Sequence, residues 1–185
     1  MPLLTGGNIA NVERVGITTK ETQPRTFIFE TASNASFTAV VDEGTENKLR
    51  IKNTVHGLLK TETLVTGYDI ELQDQILLME VFALIDGGTY AADAEDEGEQ
   101  YSAPVVGSAV NRVAFDLTLY TSDRDTNGNA KAFHEWKFPN CKGKPVSGSF
   151  KDGEFSTNAY SLESRPDSGQ SAMTLKRIDA LPEVV

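Results

Sequence analysis

The sequence predicts a mainly-β chain, an antiparallel sandwich or barrel with one flanking α-helix. Three observations carry this. Short runs rich in Val, Ile, Thr, Phe and Tyr follow one another and are parted by turn formers marked with Gly. Arg112 to Tyr120 alternates strongly, placing Val113, Phe115, Leu117 and Leu119 on one face and Ala114, Asp116, Thr118 and Tyr120 on the other. Gln75 to Asp86 is apolar with no such alternation.

Residues 1 to about 24 carry scattered apolar positions and end at Pro24, so they read as an N-terminal arm or a first short strand. Thr26 to Glu30 and Ser36 to Val41 are β-branched and aromatic, and Asp42-Glu43-Gly44 closes the second with turn chemistry. Lys48 to Lys52 alternates polar and apolar, the pattern of a strand with one face in and one face out. Thr61 to Asp74 gives two runs around Gly67, where a bulge or tight bend is expected.

Leu and Met dominate residues 75–86, Asp74 stands ready as an N-cap, and Gly87-Gly88 offers a C-terminal stop. A largely buried helix follows, with a buried strand as the competing reading. Strands then resume at Ala132 to Phe138, with His134, Trp136 and Phe138 on one face. Val146 to Phe150 and Phe155 to Ser164 flank Asp152-Gly153, the strongest short-range hairpin signal. Met173 to Ile178 suits a last strand. No repeat or linker divides the chain, so one domain over 1–185 is expected.

The formal net charge is −10, from 17 Lys and Arg against 27 Asp and Glu. Such a balance opposes a grip on nucleic acid, whose affinity comes mostly from basic residues displacing counterions. It equally opposes docking on an anionic membrane. The N-terminus has no basic residue before Arg14 and no apolar stretch of a signal peptide. The longest apolar run, Ile76 to Ile85, is half of a membrane span and is broken by Glu80. A soluble protein of a reducing compartment is expected.

The acids are clustered. Asp86, Asp93, Glu95, Asp96, Glu97 and Glu99 lie within sixteen residues that hold no base. Residues 91–100 have no apolar side chain larger than Ala, so they read as a long exposed loop. Two accounts fit it: a solvated loop that keeps the protein soluble, and a negative surface used in assembly or repulsion.

Residues for catalysis are sparse. His56 and His134 are the only histidines, and no nucleophile elbow or phosphate loop is present. Cys141 lies in a turn-like context beside Lys142, which would lower its pKa, and His134 is its one nearby histidine in sequence. An inert turn cysteine and a packed strand histidine account for both without catalysis. Asp123, Asp125 and Asn127, with Gly128 next, reproduce the start of a calcium loop, but His134 stands at the twelfth place and the flanks are strands. A hairpin loop explains the same residues without an ion. No enzyme activity and no cofactor are expected.

Several segments resemble one family in their order. They are Thr66-Gly67-Tyr68-Asp69-Ile70, then Ala83-Leu84-Ile85-Asp86-Gly87-Gly88, then Trp136 to Val146, Ser149 to Phe155, Glu163-Ser164-Arg165-Pro166 and Ile178 to Pro182. Together they resemble the major tail protein, or tail tube protein, of long-tailed (siphovirus-type) bacteriophages. The resemblance covers about two thirds of the chain and is carried by pattern rather than by a catalytic signature.

That resemblance implies a β-sandwich of the tail tube type with the helix at about 75–86. It implies hexameric rings whose sheets join into a barrel-lined lumen and stack into a tube. Phage DNA would pass through without specific binding, a tape measure would lie within and a terminator would cap the end. The place of work would be the tail of the virion, after synthesis in the host cytoplasm. The inner tube of a contractile tail or a phage-tail-like bacteriocin is the alternative, and a β-sandwich binding module is a more distant one. The N-terminal arm (about 1–24) and the acidic loop (about 89–103, with Asp93, Glu95, Asp96, Glu97 and Glu99) would bridge neighbouring subunits. Removing residues 92–100 should then leave a folded chain that polymerises poorly.

Overall fold

The structure, a computed structural model, describes residues 9–92 and 98–184. It is mainly antiparallel β with one short helix. The strands are β1 (Ile9–Thr19), β2 (Thr26–Phe29), β3 (Ala32–Asp42), β4 (Glu46–Ile51), β5 (Thr54–Lys60) and β6 (Leu64–Asp74). After helix α1 (Met79–Asp86) come β7 (Thr89–Ala91), β8 (Gln100–Ser102), β9 (Phe115–Arg124), β10 (Ala130–Gly143), β11 (Asn158–Ser164) and β12 (Thr174–Ile178).

The main sheet runs β2-β1-β9-β10-β11-β6-β3, with β12 also on β10. Strand β10 is its hinge. Its first half lies between β9 and β12, and its end, Cys141 to Gly143, pairs with Leu162 to Ser164 of β11. The β9 register shifts between Phe138 and Cys141, and Asn140 there takes φ 52°. Such a bulge bends a strand. The two halves of the sheet therefore fold over one another instead of closing a barrel, and β2 and β3 remain as edges.

The core fills the space between the halves. Val15, Ile17, Phe115 and Leu117 come from one side and Ile70, Leu72, Tyr160 and Leu162 from the other, all with no exposed surface. Phe37 of β3 meets Trp136 and Phe138 of β10, with ring centroids 5.5 and 5.2 Å apart. The alternation read in β9 is real: Phe115, Leu117 and Leu119 are buried and the residues between them are half-buried.

Several expectations need correction. Residues 9–19 form a central strand, the second of the two readings offered for the N-terminal stretch; residues 1–8 lie outside the described part. The helix starts at Met79, four residues later than expected. Asp74 does not cap it. That residue is the buried end of β6, and its Oδ1 accepts the Ile76 amide at 3.2 Å while the Gln75 amide goes to the Thr31 carbonyl. Those bonds hold residues 75 and 76 in a turn. Gly87 does stop the helix, at φ 86°, donating to the Ala83 carbonyl.

Val146 to Phe150 is not a strand either. One isolated bridge, Ser147 to Ala159, replaces the expected hairpin ladder, and Phe150 and Phe155 stand in solvent. The turn at Asp152-Gly153 forms, but no ladder extends from it. The Gly67 bulge is present: Val40 pairs with Gly67 and Val41 with Val65, leaving Thr66 over.

Candidate assembly surfaces

Four of the segments singled out in the sequence (residues 66–70, 83–88, 136–146 and 163–166) meet in one region, where α1 and the ends of β6, β10 and β11 come together. Gly67 sits so tightly that a β-carbon there would lie 2.1 Å from the Ser164 carbonyl oxygen. Arg165 donates to the Tyr68 carbonyl at 3.0 Å and to Asp69 Oδ1 at 2.8 Å. Asn140 Nδ2 donates to the Arg165 carbonyl at 2.6 Å, and the Ser164 hydroxyl donates to the Pro139 carbonyl at 2.6 Å. The Asp86 carboxylate accepts the Val146 amide at 2.8 Å and the Tyr101 hydroxyl on its other oxygen. Burial, then the Asp86 bond and charge, pushes the Tyr101 phenol up to about 12. The seam ties backbone segments together, so these residues build the fold.

The outer faces of the two halves differ in chemistry. On β3, β6 and β11 the outward residues are Asn34, Ser36 and Thr38, then Asp69, Glu71 and Gln73, then Ala159, Ser161 and Glu163, matched across in register. The apolar side chains on this face are Ala159 and, beyond Thr38, Val40, and the Ser161 hydroxyl donates to Glu71 at 2.9 Å. On the other half, Asp116, Thr118 and Tyr120 of β9 sit among Arg14, Glu135, Lys137 and Lys176. Asp116 lies between Lys20 at 3.1 Å and Lys137 at 3.2 Å. Burial opposes its charge, but the Asn140 amide and the two lysines hold its carboxyl below the usual range. This second face is charge-balanced; the first is largely polar and acid-leaning.

Strands β4 and β5 form a separate two-stranded ribbon between β3 and β6. Nearly every residue in it is exposed. The cross-strand pairs Asn47–Leu59 and Leu49–Gly57 give one uncharged face, with Leu49 61% and Leu59 65% exposed. The opposite face carries Glu46, Lys48 and Arg50, across from Lys60, Leu58 and Val55. At its base Val41, Leu64 and Val65 are also bare. The sequence reading missed β5 and expected Lys48 to Lys52 to bury one face. Alternation marks a strand, but whether anything covers the apolar side is a tertiary matter. The signal available was the second apolar run, Val55 with Leu58-Leu59, after the turn at Lys52-Asn53.

The other sequence candidates fall out as follows. Asp93, Glu95, Asp96 and Glu97 lie outside the described residues; Glu99 is exposed, beside the small β7–β8 ribbon. Asp123 is buried in β9, with Arg177 3.9 Å away. Asp125 turns into its own loop, its Oδ1 accepting the Asn127 and Asn129 amides at 2.8 and 2.9 Å. Those bonds, the Asn129 amide first, hold its carboxyl below the usual range. Asn127 is exposed at the tip. No three His, Cys, Asp or Glu among the described residues converge as a metal set. Cys141 is fully buried and its thiol donates to the Phe138 carbonyl at 3.3 Å. Burial pushes its pKa up to about 12, against the lowering expected from Lys142. His134 is seven positions away along β10, roughly 20 Å at a strand's rise, so the two form no pair.

No family model matches the chain, and no curated protein matches its sequence. Solved structures that contain a chain similar to it include the following three. One is the anti-feeding prophage baseplate, with 8% identity, 94% of this chain and 97% of that one covered, and a TM-score of 0.46. Another is the tube-terminating cap of the anti-feeding prophage, with 12% identity, 95% and 99% covered, and a TM-score of 0.45. The third is a sheath–tube complex of an extracellular contractile injection system, with 13% identity, 91% of both chains covered, and a TM-score of 0.45. None of the three is named as the tube of a long-tailed phage. No helix among the described residues is long and apolar enough to cross a membrane.

Proposed function

We propose that the chain is a structural subunit that assembles with copies of itself into a phage-tail-like tube. The β4–β5 ribbon carries this reading. A lone two-stranded ribbon is marginal in water, and contiguous bare apolar surface marks an interaction site. This one exposes Leu49, Ile51 and Leu59 on its uncharged face, with Val41, Leu64 and Val65 bare at its base. Strand β3 supports the reading further: it is eleven residues long, mostly exposed, and among the described residues bonded on one side only, to β6. Such an edge is a template for a strand of another chain.

The largely polar β3-β6-β11 face suits the inside of the channel. Asp69, Glu71 and Glu163 outnumber Arg165, which pairs with the first and third, and the net negative charge would repel phosphate and let DNA or another acidic cargo slide. The reading is of a structural part, with neither catalysis nor cofactor in its working. The inner tube of a contractile particle or phage-tail-like bacteriocin stands level with the tube of a long-tailed phage. A sheath gene beside this one would decide for the former.

Sedimentation velocity on the purified chain tests the reading. Species at multiples of the 20.1 kDa monomer, growing with concentration, are expected. Replacing Leu49 and Leu59 with Asn should return the protein to a folded monomer. A wild-type chain that stays monomeric at high concentration would contradict the proposal.

A further inference from the structure

We propose that the β4–β5 hairpin of one copy seats in a groove beside helix α1 of the next copy. The proposal rests on the tube reading and names the contact that would stack its subunits. The groove has a volume of about 620 Å³, and Leu77, Met79, Phe82, Tyr101, Val146 and Phe150 line it. Leu77 is 47% and Phe150 86% exposed, so part of its apolar wall is open to water.

Position argues for a second copy. The hairpin leaves the sheet at Asp42 and Leu64, whereas Gln75 and Asn158, beside the far end of β6, border the groove. Strand β6 separates the two ends by ten steps, roughly 33 Å at the rise of a strand. The hairpin projects away from that body, so a chain cannot fill its own groove. Copies stacked in one orientation bring the hairpin of each to the groove of the next. That contact is heterologous and does not close, so it propagates.

Charge argues for the same occupant. Residues 46 to 60 hold Lys48, Arg50, Lys52 and Lys60 against the single acid Glu46. Glu99 borders the groove, and no base occurs between residues 75 and 101. An uncharged face with Leu49 and Leu59 meets apolar walls, while the basic face meets Glu99. Opposite potentials of this kind fix register and steer encounter.

Cross-linking tests it on the full chain. Leu59→Cys and Leu77→Cys are made separately, mixed before assembly and treated with a short bis-maleimide. The buried Cys141 leaves the background low. A cross-linked dimer that needs both variants is expected, and the double variant in one chain should give a ladder of multimers. Lys48→Glu with Arg50→Glu should lower the yield at least tenfold, and adding Glu99→Lys to the Leu77→Cys partner should recover part of it. Dimers of Leu59→Cys alone, or polymers without the mixed product, would overturn this contact and spare the tube reading. A mixture that stays monomeric would overturn both.

Discussion

A methyl group at Gly143 would stand 2.0 Å from the carbonyl oxygen of Ile85. Strand β10 thus ends directly against the last turn of α1, and only a glycine permits that approach. Gly143→Ala must push helix and strand apart. It is expected to destabilise the fold by about 2–3 kcal/mol, as overpacking of a tight backbone contact does. Urea unfolding would measure the loss as a lower midpoint with an unchanged slope.

Asn140 makes a second point of strain at the same seam. Its φ of 52° is tolerated by Asn and costs Ala roughly 1–2 kcal/mol. Its side chain also holds the Arg165 carbonyl. Asn140→Ala should therefore cost more than Asn140→Gly, which keeps the backbone and loses only a bond worth about 1 kcal/mol. Equal losses in thermal melts would contradict the assignment.

These two positions show what was legible in the sequence. The order of segments around Gly67, Asp86 and Asn140-Cys141 was visible, but not that they meet, because the sites are far apart in the chain. The β9 alternation reported its buried face truly, since both sides of that strand have neighbours. The same pattern in β4 misled, because its apolar side faces out. Local pattern records which residues belong together on a face; it does not record what covers that face. The helix start misled for a related reason: Asp74 was already engaged as the end of a strand.

Alkaline pH should unfold the protein earlier than its composition suggests. Tyr101, Tyr160 and Cys141 are all pushed up to about 12, burial first in each case. The folded state therefore holds protons that the unfolded chain releases near 9 for a thiol and near 10 for a phenol. Their contribution is complete below those values and is lost as pH climbs through about 12. Tyr101→Phe and Tyr160→Phe should each flatten the fall of the melting temperature between pH 9.5 and about 12. Tyr160→Phe should also stabilise the neutral protein by about 1 kcal/mol, since the Tyr160 hydroxyl is buried without a hydrogen-bond partner among the described residues. A melting curve that both variants leave unmoved in pH would remove this account.

The polar β3-β6-β11 face makes a prediction about cargo. Glu71→Lys changes an exposed residue that accepts the Ser161 hydroxyl, so folding and assembly should survive. If the face lines the channel, assembled Glu71→Lys particles should retain DNA at low salt and release it as salt rises. The same change introduced as Glu154→Lys, in the exposed turn after β10, should retain far less. Equal retention by the two would place the β6 face outside the channel.

Negative-stain electron microscopy of the purified full-length chain, across a concentration series, bears most directly on the central claim. Rings and hollow tubes of constant diameter, lost in Leu49→Asn with Leu59→Asn, are the expected images. Fields of isolated monomers at every concentration, with the hairpin intact, would contradict it.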